Sequence, residues 1–265
     1  AKASIVTCGV DVQDNRVAVG LYAWGEGEES WLLNHFEIFG DPAGKKLWEQ
    51  VDDVIFRTYR KEDGTELKVS ATGVDSGGHF TSEVYAFCRE RAKRGVFALK
   101  GQSQRNKPPI GKPSKVDINY KGQVLKNSAQ VFPAGVDTIK TTLFARLKLN
   151  EEGPGYIHFH AAASPEYFKQ LTSERQVVRY VKGFAIREWK KKPGDRNEAL
   201  DCFCYSYCAL NYLYMRFNRS TIFEQFAKAQ EPKSEPQEQK RVESPYQPTR
   251  RRMSRRPSSS FVTNW

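Results

Sequence analysis

Asp11 in Cys-Gly-Val-Asp-Val-Gln and Asp75 in Gly-Val-Asp-Ser-Gly-Gly each follow a Gly-Val pair in a run of β-forming residues. A strand disfavours aspartate, so Asp11 between Val10 and Val12 calls for a reason. Asp75 has a plainer alternative as a turn or helix-cap residue before Ser-Gly-Gly. Asp201 lies in Asn-Glu-Ala-Leu-Asp-Cys-Phe-Cys, among residues that are mostly apolar or aromatic. A buried charge there must be paired or bound to something. Three carboxylates that converge repel one another and stay ionised together only around a cation. Hard divalent ions such as Mg²⁺ or Mn²⁺ take such oxygen ligands. Two of them side by side would polarise a phosphodiester, activate a water for in-line attack and stabilise the leaving oxygen.

Other chemistry-bearing residues rank below these three. His79, just after the glycines, and Glu198, three residues before Asp201 on the same helix face, are possible auxiliaries. Asp195 and Glu198 also have the spacing of a capping box, which would make Asp195 the N-cap. Glu174 in Gln-Leu-Thr-Ser-Glu-Arg-Gln is given no role. His158 and His160 read as strand residues. Five cysteines, an odd number without a second Cys/His pair at zinc spacing, read as reduced core residues, Cys204 and Cys208 included.

The elements that must position the acids follow from hydrophobic periodicity. Residues 3–12, 16–25 and 29–40 form three β-rich runs with turn residues between them, an antiparallel meander. A helix is predicted over 45–61 from Leu47, Val51, Val54, Ile55 and Tyr59, then a fourth strand over 67–76, a helix over 81–95 closed by Gly95, and a fifth strand over 96–101. Residues 102–116, rich in Pro, Gly and Lys, are expected to be a mobile loop. A helix over 134–149, a strand over 155–160, a helix capped by Ser164 with Pro165 behind it, a hairpin turning at Lys182-Gly183 and a long final helix complete the pattern. Asp11 and Asp75 then stand at matching points of two strands, with Asp201 on a helix that can pack against their ends.

The formal net charge is +11. Residues 219–265 hold ten Lys/Arg against five Asp/Glu, and 89–126 hold eleven against two. The second run suits a phosphate backbone, with Lys100, Arg105, Lys107, Lys112 and Lys115 as the candidate contacts; a solvated basic surface is the plainer alternative. No apolar run approaches the roughly 20 residues that span a bilayer, and no signal-peptide core opens the chain, so a soluble, unsecreted protein is expected. The start almost directly in a strand predicts a longer polypeptide upstream. No Gly-x-x-x-x-Gly-Lys-Ser/Thr motif is present, which excludes a P-loop ATPase site within this chain. The expected domains are 1–218, carrying the acids, and 219–265, a basic low-complexity tail that is disordered alone, with Phe261, Val262 and Trp265 as a grip for a partner.

The order Gly-Val-Asp-Val-Gln-Asp-Asn, Gly-Val-Asp-Ser-Gly-Gly before a helix, Ala-Leu-Lys-Gly, Gln-Leu-Thr-Ser-Glu-Arg, and Arg-Asn-Glu-Ala-Leu-Asp-Cys opening an aromatic-rich helix resembles the C-terminal nuclease domain of the large terminase subunit of lambda-like tailed bacteriophages. The likeness runs from about Ser4 to Met215 in consistent order and spacing. It implies an α/β, RNase H-like mixed sheet of three antiparallel strands followed by βαβ units and flanked by helices. It implies cutting of concatemeric double-stranded DNA with two Mg²⁺ or Mn²⁺ ions, with Asp11, Asp75 and Asp201 as catalytic and metal-binding acids, leaving 5′-phosphate and 3′-hydroxyl ends. Asp195 or Glu198 remains an alternative third ligand. The resemblance further implies an upstream ATPase domain, a small terminase subunit as partner, docking on the portal of the empty capsid through the tail, and action in the host cytoplasm. Three other readings compete. A resolvase or transposase on the same fold would need a further DNA-binding domain. An actin-like ATP-binding fold would need two similar halves. A non-enzymatic packaging adapter would dock through the tail and use its acids structurally.

Overall fold

The computed structural model describes residues 2–61, 63–116 and 129–230, and the backbone of two short strands between 118 and 125. Strand β1 (Ile5–Val12) pairs antiparallel with β2 (Arg16–Trp24), and β2 with β3 (Ser30–Phe39), as the meander expectation required. Helix α1 (Lys45–Ile55) buries Leu47, Trp48, Val51, Val54 and Ile55. It stops earlier than its periodicity suggested: Thr58–Arg60 forms β4, which pairs antiparallel with β5 (Glu66–Asp75), and the Tyr59 hydroxyl bonds back to the Val54 carbonyl at 3.0 Å. Tyr59 fits the helical spacing, but a β-forming Thr-Tyr pair beside an open strand edge is captured by the sheet instead.

After β5 come α2 (Thr81–Arg91), a short 3₁₀ turn ended by left-handed Gly95 at φ 78°, and β6 (Val96–Gln102). The segment expected to be a mobile loop is held to the sheet. Its end forms β7 (Ser114–Lys115), Ile110 bridges Ala134, and the Gly111 N–H donates to the Pro133 carbonyl at 2.8 Å. A two-stranded ribbon, β8 (Ile118–Tyr120) and β9 (Gln123–Leu125), precedes β10 (Gln130–Gly135), which pairs parallel with β6. The sequence pattern hides β10 because Pro133 interrupts it. That proline is tolerated because the outer side of β10 there carries only the isolated Ile110–Ala134 bridge, in which Pro133 takes part through its carbonyl and needs no N–H.

The rest of the chain is α3 (Val136–Arg146), β11 (Ile157–His158) pairing with β3, α4 (Pro165–Leu171) with Ser164 Oγ accepting from the Tyr167 N–H, and the hairpin of β12 (Glu174–Val181) and β13 (Phe184–Lys191). Lys182 and Gly183 both have positive φ, 47° and 82°, as a two-residue hairpin turn demands. Helices α5 (Glu198–Tyr214) and α6 (Ile222–Gln230) close the described part. Helix α6 packs Ile222 into the core and Gln230 Nε2 donates to the Ser4 carbonyl, so packing continues past the expected boundary at residue 218 through α6. The expected disordered segment with Phe261, Val262 and Trp265 lies outside the described residues, as do Lys121 and Lys126 of the basic run.

The main sheet runs in the order β11-β3-β2-β1-β5-β6-β10-β7, antiparallel from β3 to β1 and parallel from β1 through β10. Alternating residues fill two cores. Ile5, Tyr22, Trp24 and Leu99 face α3, α4 and α5, while Val6, Cys8, Val10, Val19 and Val74 face α1 and α2. The mixed α/β sheet between two helical layers is the expected class. All five cysteines are free and buried in it. Among the described residues no helix is long and apolar enough to cross a membrane.

A candidate acidic active site at the ends of three elements

Strands β1 and β5 are parallel neighbours, and Val10 is in register with Val74. Asp11 and Asp75 are therefore side by side on one face, at the carboxyl ends of adjacent central strands. The same register sets three glycines in a row across the sheet, Gly20 opposite Gly9 and Gly9 opposite Gly73. Helix α5 crosses in the trough they leave. A Cβ on Gly9 would lie 1.9 Å from the Cys202 carbonyl oxygen, one on Gly73 2.8 Å from the Tyr205 carbonyl oxygen, and one on Gly20 2.8 Å from Cys202 Cβ. The backbone of α5 thus lies almost on the sheet, and Asp201, in its first turn, is lowered onto Asp11 and Asp75. The Gly-Val-Asp repeat noted in the sequence has this cause: glycine seats the helix, valine fills the opposite core, and aspartate meets the helix end.

The electrostatics show the convergence. Asp11 is 3% exposed; burial and then the charges of Asp201 and Asp75 push its carboxyl well up from the ordinary range. Burial pushes Asp201 up to about 7, with Lys140 opposing and Glu174 and Asp75 adding to the rise. Asp75 is raised by burial, and hydrogen bonds from the Gly77 N–H, at 3.2 Å, and the Tyr205 hydroxyl hold the rise back. A Cβ on Gly77 would meet the Asp75 carboxylate at 3.4 Å, ordinary contact, so what this residue brings to Asp75 is its N–H donor. Gln13 Nε2 donates to Asp11 Oδ2 at 2.6 Å. Tyr205 and Gln13 were not anticipated. Each is one short step from an aspartate, Gln13 at i+2 of Asp11 and Tyr205 at i+4 of Asp201, but neither residue type marks a site by itself.

The auxiliary residues fall differently. Glu198 is buried between Arg16 and Arg196, whose guanidinium Nε lies 3.1 Å from it. Burial would raise its carboxyl, but its own backbone N–H and the two arginines outweigh this and hold it low. It is an ion-paired strut between β2 and α5. The helix N-cap is Asn197, not Asp195, and no side-chain capping bond forms there. Asn197 turns its amide elsewhere, donating to Asp201 Oδ2 at 2.8 Å and to Glu174 Oε1 at 3.1 Å. His79 is exposed on the rim and bonds Asp14 at 2.9 Å, tying the β1–β2 turn to the loop after β5. Glu174, passed over in the sequence, is buried beside Asp201, and Lys140 Nζ reaches it at 2.7 Å. Lys100 follows Leu99, the residue paired with Asp75, so it stands at the same end of the sheet. Arg105, Lys107, Lys112 and Lys115 are exposed, and Lys115 pairs with Gln130 at the start of β10.

Asp11, Asp75 and Asp201 feel one another's charge but do not meet a 4.8 Å spacing between all their ligand atoms. Among the described residues, the carboxylate and imidazole atoms that all lie within 4.8 Å of one another belong to Glu29, Glu152 and His158. That group sits at the β3–β11 edge of the sheet, where His158 pairs with Trp31, level with the start of β1. His158 is satisfied there by Glu29 at 2.7 Å and stacks on Trp31 with ring centroids 4.8 Å apart.

Residues 1–221 match the family model described as the endonuclease domain of the terminase large subunit gpA. The chain is 33% identical over 225 residues to the large terminase subunit of Escherichia phage lambda, covering 82% of this chain and 33% of that protein. It is 34% identical over 227 residues to the large terminase subunit of Enterobacteria phage P21, covering 82% and 34%. The chain spans about a third of the length of these curated relatives.

Proposed function

Because the chain belongs to the family of terminase large-subunit gpA endonuclease domains, we propose that it is a divalent-metal-dependent endonuclease that cuts concatemeric double-stranded DNA to make genome ends during packaging. The observation that carries this reading is the meeting of Asp11, Asp75 and Asp201 from two central strands and a helix that the glycine row seats on them. The sheet order, three antiparallel strands followed by parallel ones, supports an RNase H-like fold.

The donor set fits a hard cation. It is made of carboxylate oxygens, each aspartate is pushed toward its protonated form by burial, and for Asp11 and Asp201 also by neighbouring acids, so each gains most from a positive ion. Bound Mg²⁺ or Mn²⁺, two ions when DNA is present, would polarise the scissile phosphate and lower the pKa of the attacking water. Asp11, Asp75 and Asp201 would hold the ions through their carboxylates. Gln13, the Gly77 N–H, Tyr205 and Asn197 keep the carboxylates oriented. Lys100, Arg105, Lys107, Lys112 and Lys115, all exposed, would contact the phosphate backbone. The products would carry 5′-phosphate and 3′-hydroxyl ends.

In the whole polypeptide an ATPase domain would lie upstream, a small terminase subunit would choose the cut site, and the segment after residue 230 would dock on the portal, all in the host cytoplasm. The test is incubation of the chain with supercoiled plasmid and Mn²⁺ or Mg²⁺, beside Asp11→Ala, Asp75→Ala and Asp201→Ala. Nicking and linearisation by the wild type alone is expected. An inert wild type, or three variants that cut as well as it does, would overturn the reading.

A further inference from the structure

Four side chains meet behind Asp201. Lys140, 8% exposed on α3, places Nζ 2.7 Å from Glu174 Oε1 but 3.8 Å from Asp201 Oδ1. Asn197 Nδ2 lies 3.1 Å from the same Glu174 oxygen and 2.8 Å from Asp201 Oδ2. Glu174 is the first residue of β12 and 7% exposed; the last residue of β13, Lys191, pairs with it and reaches Asn197 Oδ1 at 3.0 Å. One buried ammonium therefore has two carboxylates within reach, takes the short bond to Glu174 and leaves Asp201 at the long distance.

An ammonium is a competitor for any metal ion that needs Asp201. A lysine in direct contact would neutralise that carboxylate and occupy space on its free side, and the ion would have to break a charge-assisted hydrogen bond to enter. From the uneven distances we infer that Glu174 is a positioning residue: it draws Lys140 off Asp201 and so keeps Asp201 free to take a divalent ion. Lys140 in turn keeps Glu174 compensated, so the buried pair adds no net charge behind the site. Asn197 joins the two halves, donating to both acids and holding Asp201 in its orientation. The sequence offered no reason to single out Glu174, because its partner is 34 residues away, on α3.

The inference rests on Asp201 being a metal ligand, and the experiment separates the two claims. Mn²⁺ binding to the whole chain, without DNA, is followed by the electron paramagnetic resonance signal of the free ion. Asp201→Asn is expected to weaken binding, and if it does not, the site assignment fails and this inference with it. With Asp201 established, Glu174→Gln leaves Lys140 a single carboxylate partner, and Mn²⁺ affinity is expected to fall about tenfold or more, the equivalent of one charge-assisted hydrogen bond. Lys140→Met/Glu174→Gln removes competitor and decoy together and is expected to restore most of the affinity. Glu174→Gln binding as wild type overturns the inference. So does a double variant no better than the single one, which is the outcome for a purely structural pair. Should Glu174→Gln fail to fold, Lys140→Met alone decides: binding at least as tight as wild type supports the inference, and weaker binding overturns it.

Discussion

Replacing Asp201 with Asn should stabilise the metal-free protein at alkaline pH, although it removes a residue proposed to be essential. Burial raises the folded-state carboxyl to about 7 from an ordinary value of 3.8. Between those values the folded form holds a proton that the unfolded chain has released. The contribution of this group to stability is thus complete below pH 4 and is lost as pH rises through 7, the opposite of a salt-bridged aspartate. About three pKa units correspond to an upper bound of about 4 kcal/mol. The side chain keeps 21% of its exposure, and screening by that water reduces the cost to about 2 kcal/mol. Urea denaturation followed by tryptophan fluorescence, in EDTA at pH 5 and pH 8, reads the difference directly. At pH 8 Asp201→Asn should be more stable than wild type by about 2 kcal/mol, and the gap should narrow at pH 5. In Mn²⁺ at pH 8 the order should reverse, because an ion bound only to the native wild type stabilises it by mass action. A variant less stable than wild type at pH 8 in EDTA, or a gap that does not change with pH, would refute the view of Asp201 as a strained acid waiting for a cation.

Gly9→Ala tests the glycine row: its Cβ has no room beside the Cys202 carbonyl, so α5 must lift, with an expected loss of about 3 kcal/mol in the same denaturation assay; an unchanged midpoint would show that the close approach is not needed. Glu198→Gln breaks the bonds to Arg16 and Arg196 and should cost about 2–3 kcal/mol while Mn²⁺ affinity stays at the wild-type value; loss of Mn²⁺ binding equal to that of Asp201→Asn would make Glu198 a ligand. Converting Lys107, Lys112 and Lys115 to Ala should lower the salt slope of duplex binding, measured by fluorescence anisotropy in EDTA, by about 0.9 for each phosphate no longer neutralised; an unaltered slope would remove the loop from the DNA path.

Much of the site was legible because the sequence breaks local rules there. Asp11 inside a valine-rich strand and Asp201 inside an apolar helix are poor choices for folding alone, and both are part of the cluster. Lys182-Gly183 and Ser164-Pro165 announce a hairpin and a helix start through backbone chemistry that acts within a few residues. What stayed hidden depends on register or on distant partners. The Gly20–Gly9–Gly73 row appears only once three strands are aligned. Glu174 acquires meaning only when Lys140 is packed against it. Asp195 has the spacing of a cap, yet Asn197 takes the position, because its amide can join Glu174 to Asp201 while the helix starts at Glu198. Pro133 disguises β10 for a related reason: local propensity argues against a strand there, and an isolated bridge that uses only the Pro133 carbonyl permits it.

The most direct test of the central claim is to grow crystals with Mn²⁺ and a short duplex, using Ca²⁺ as a non-reactive control, and to locate manganese by its anomalous scattering. Peaks at coordination distance from Asp11, Asp75 and Asp201 are the predicted result. Manganese absent from these three acids, or found only at Glu29, Glu152 and His158 at the β3–β11 edge, would contradict it.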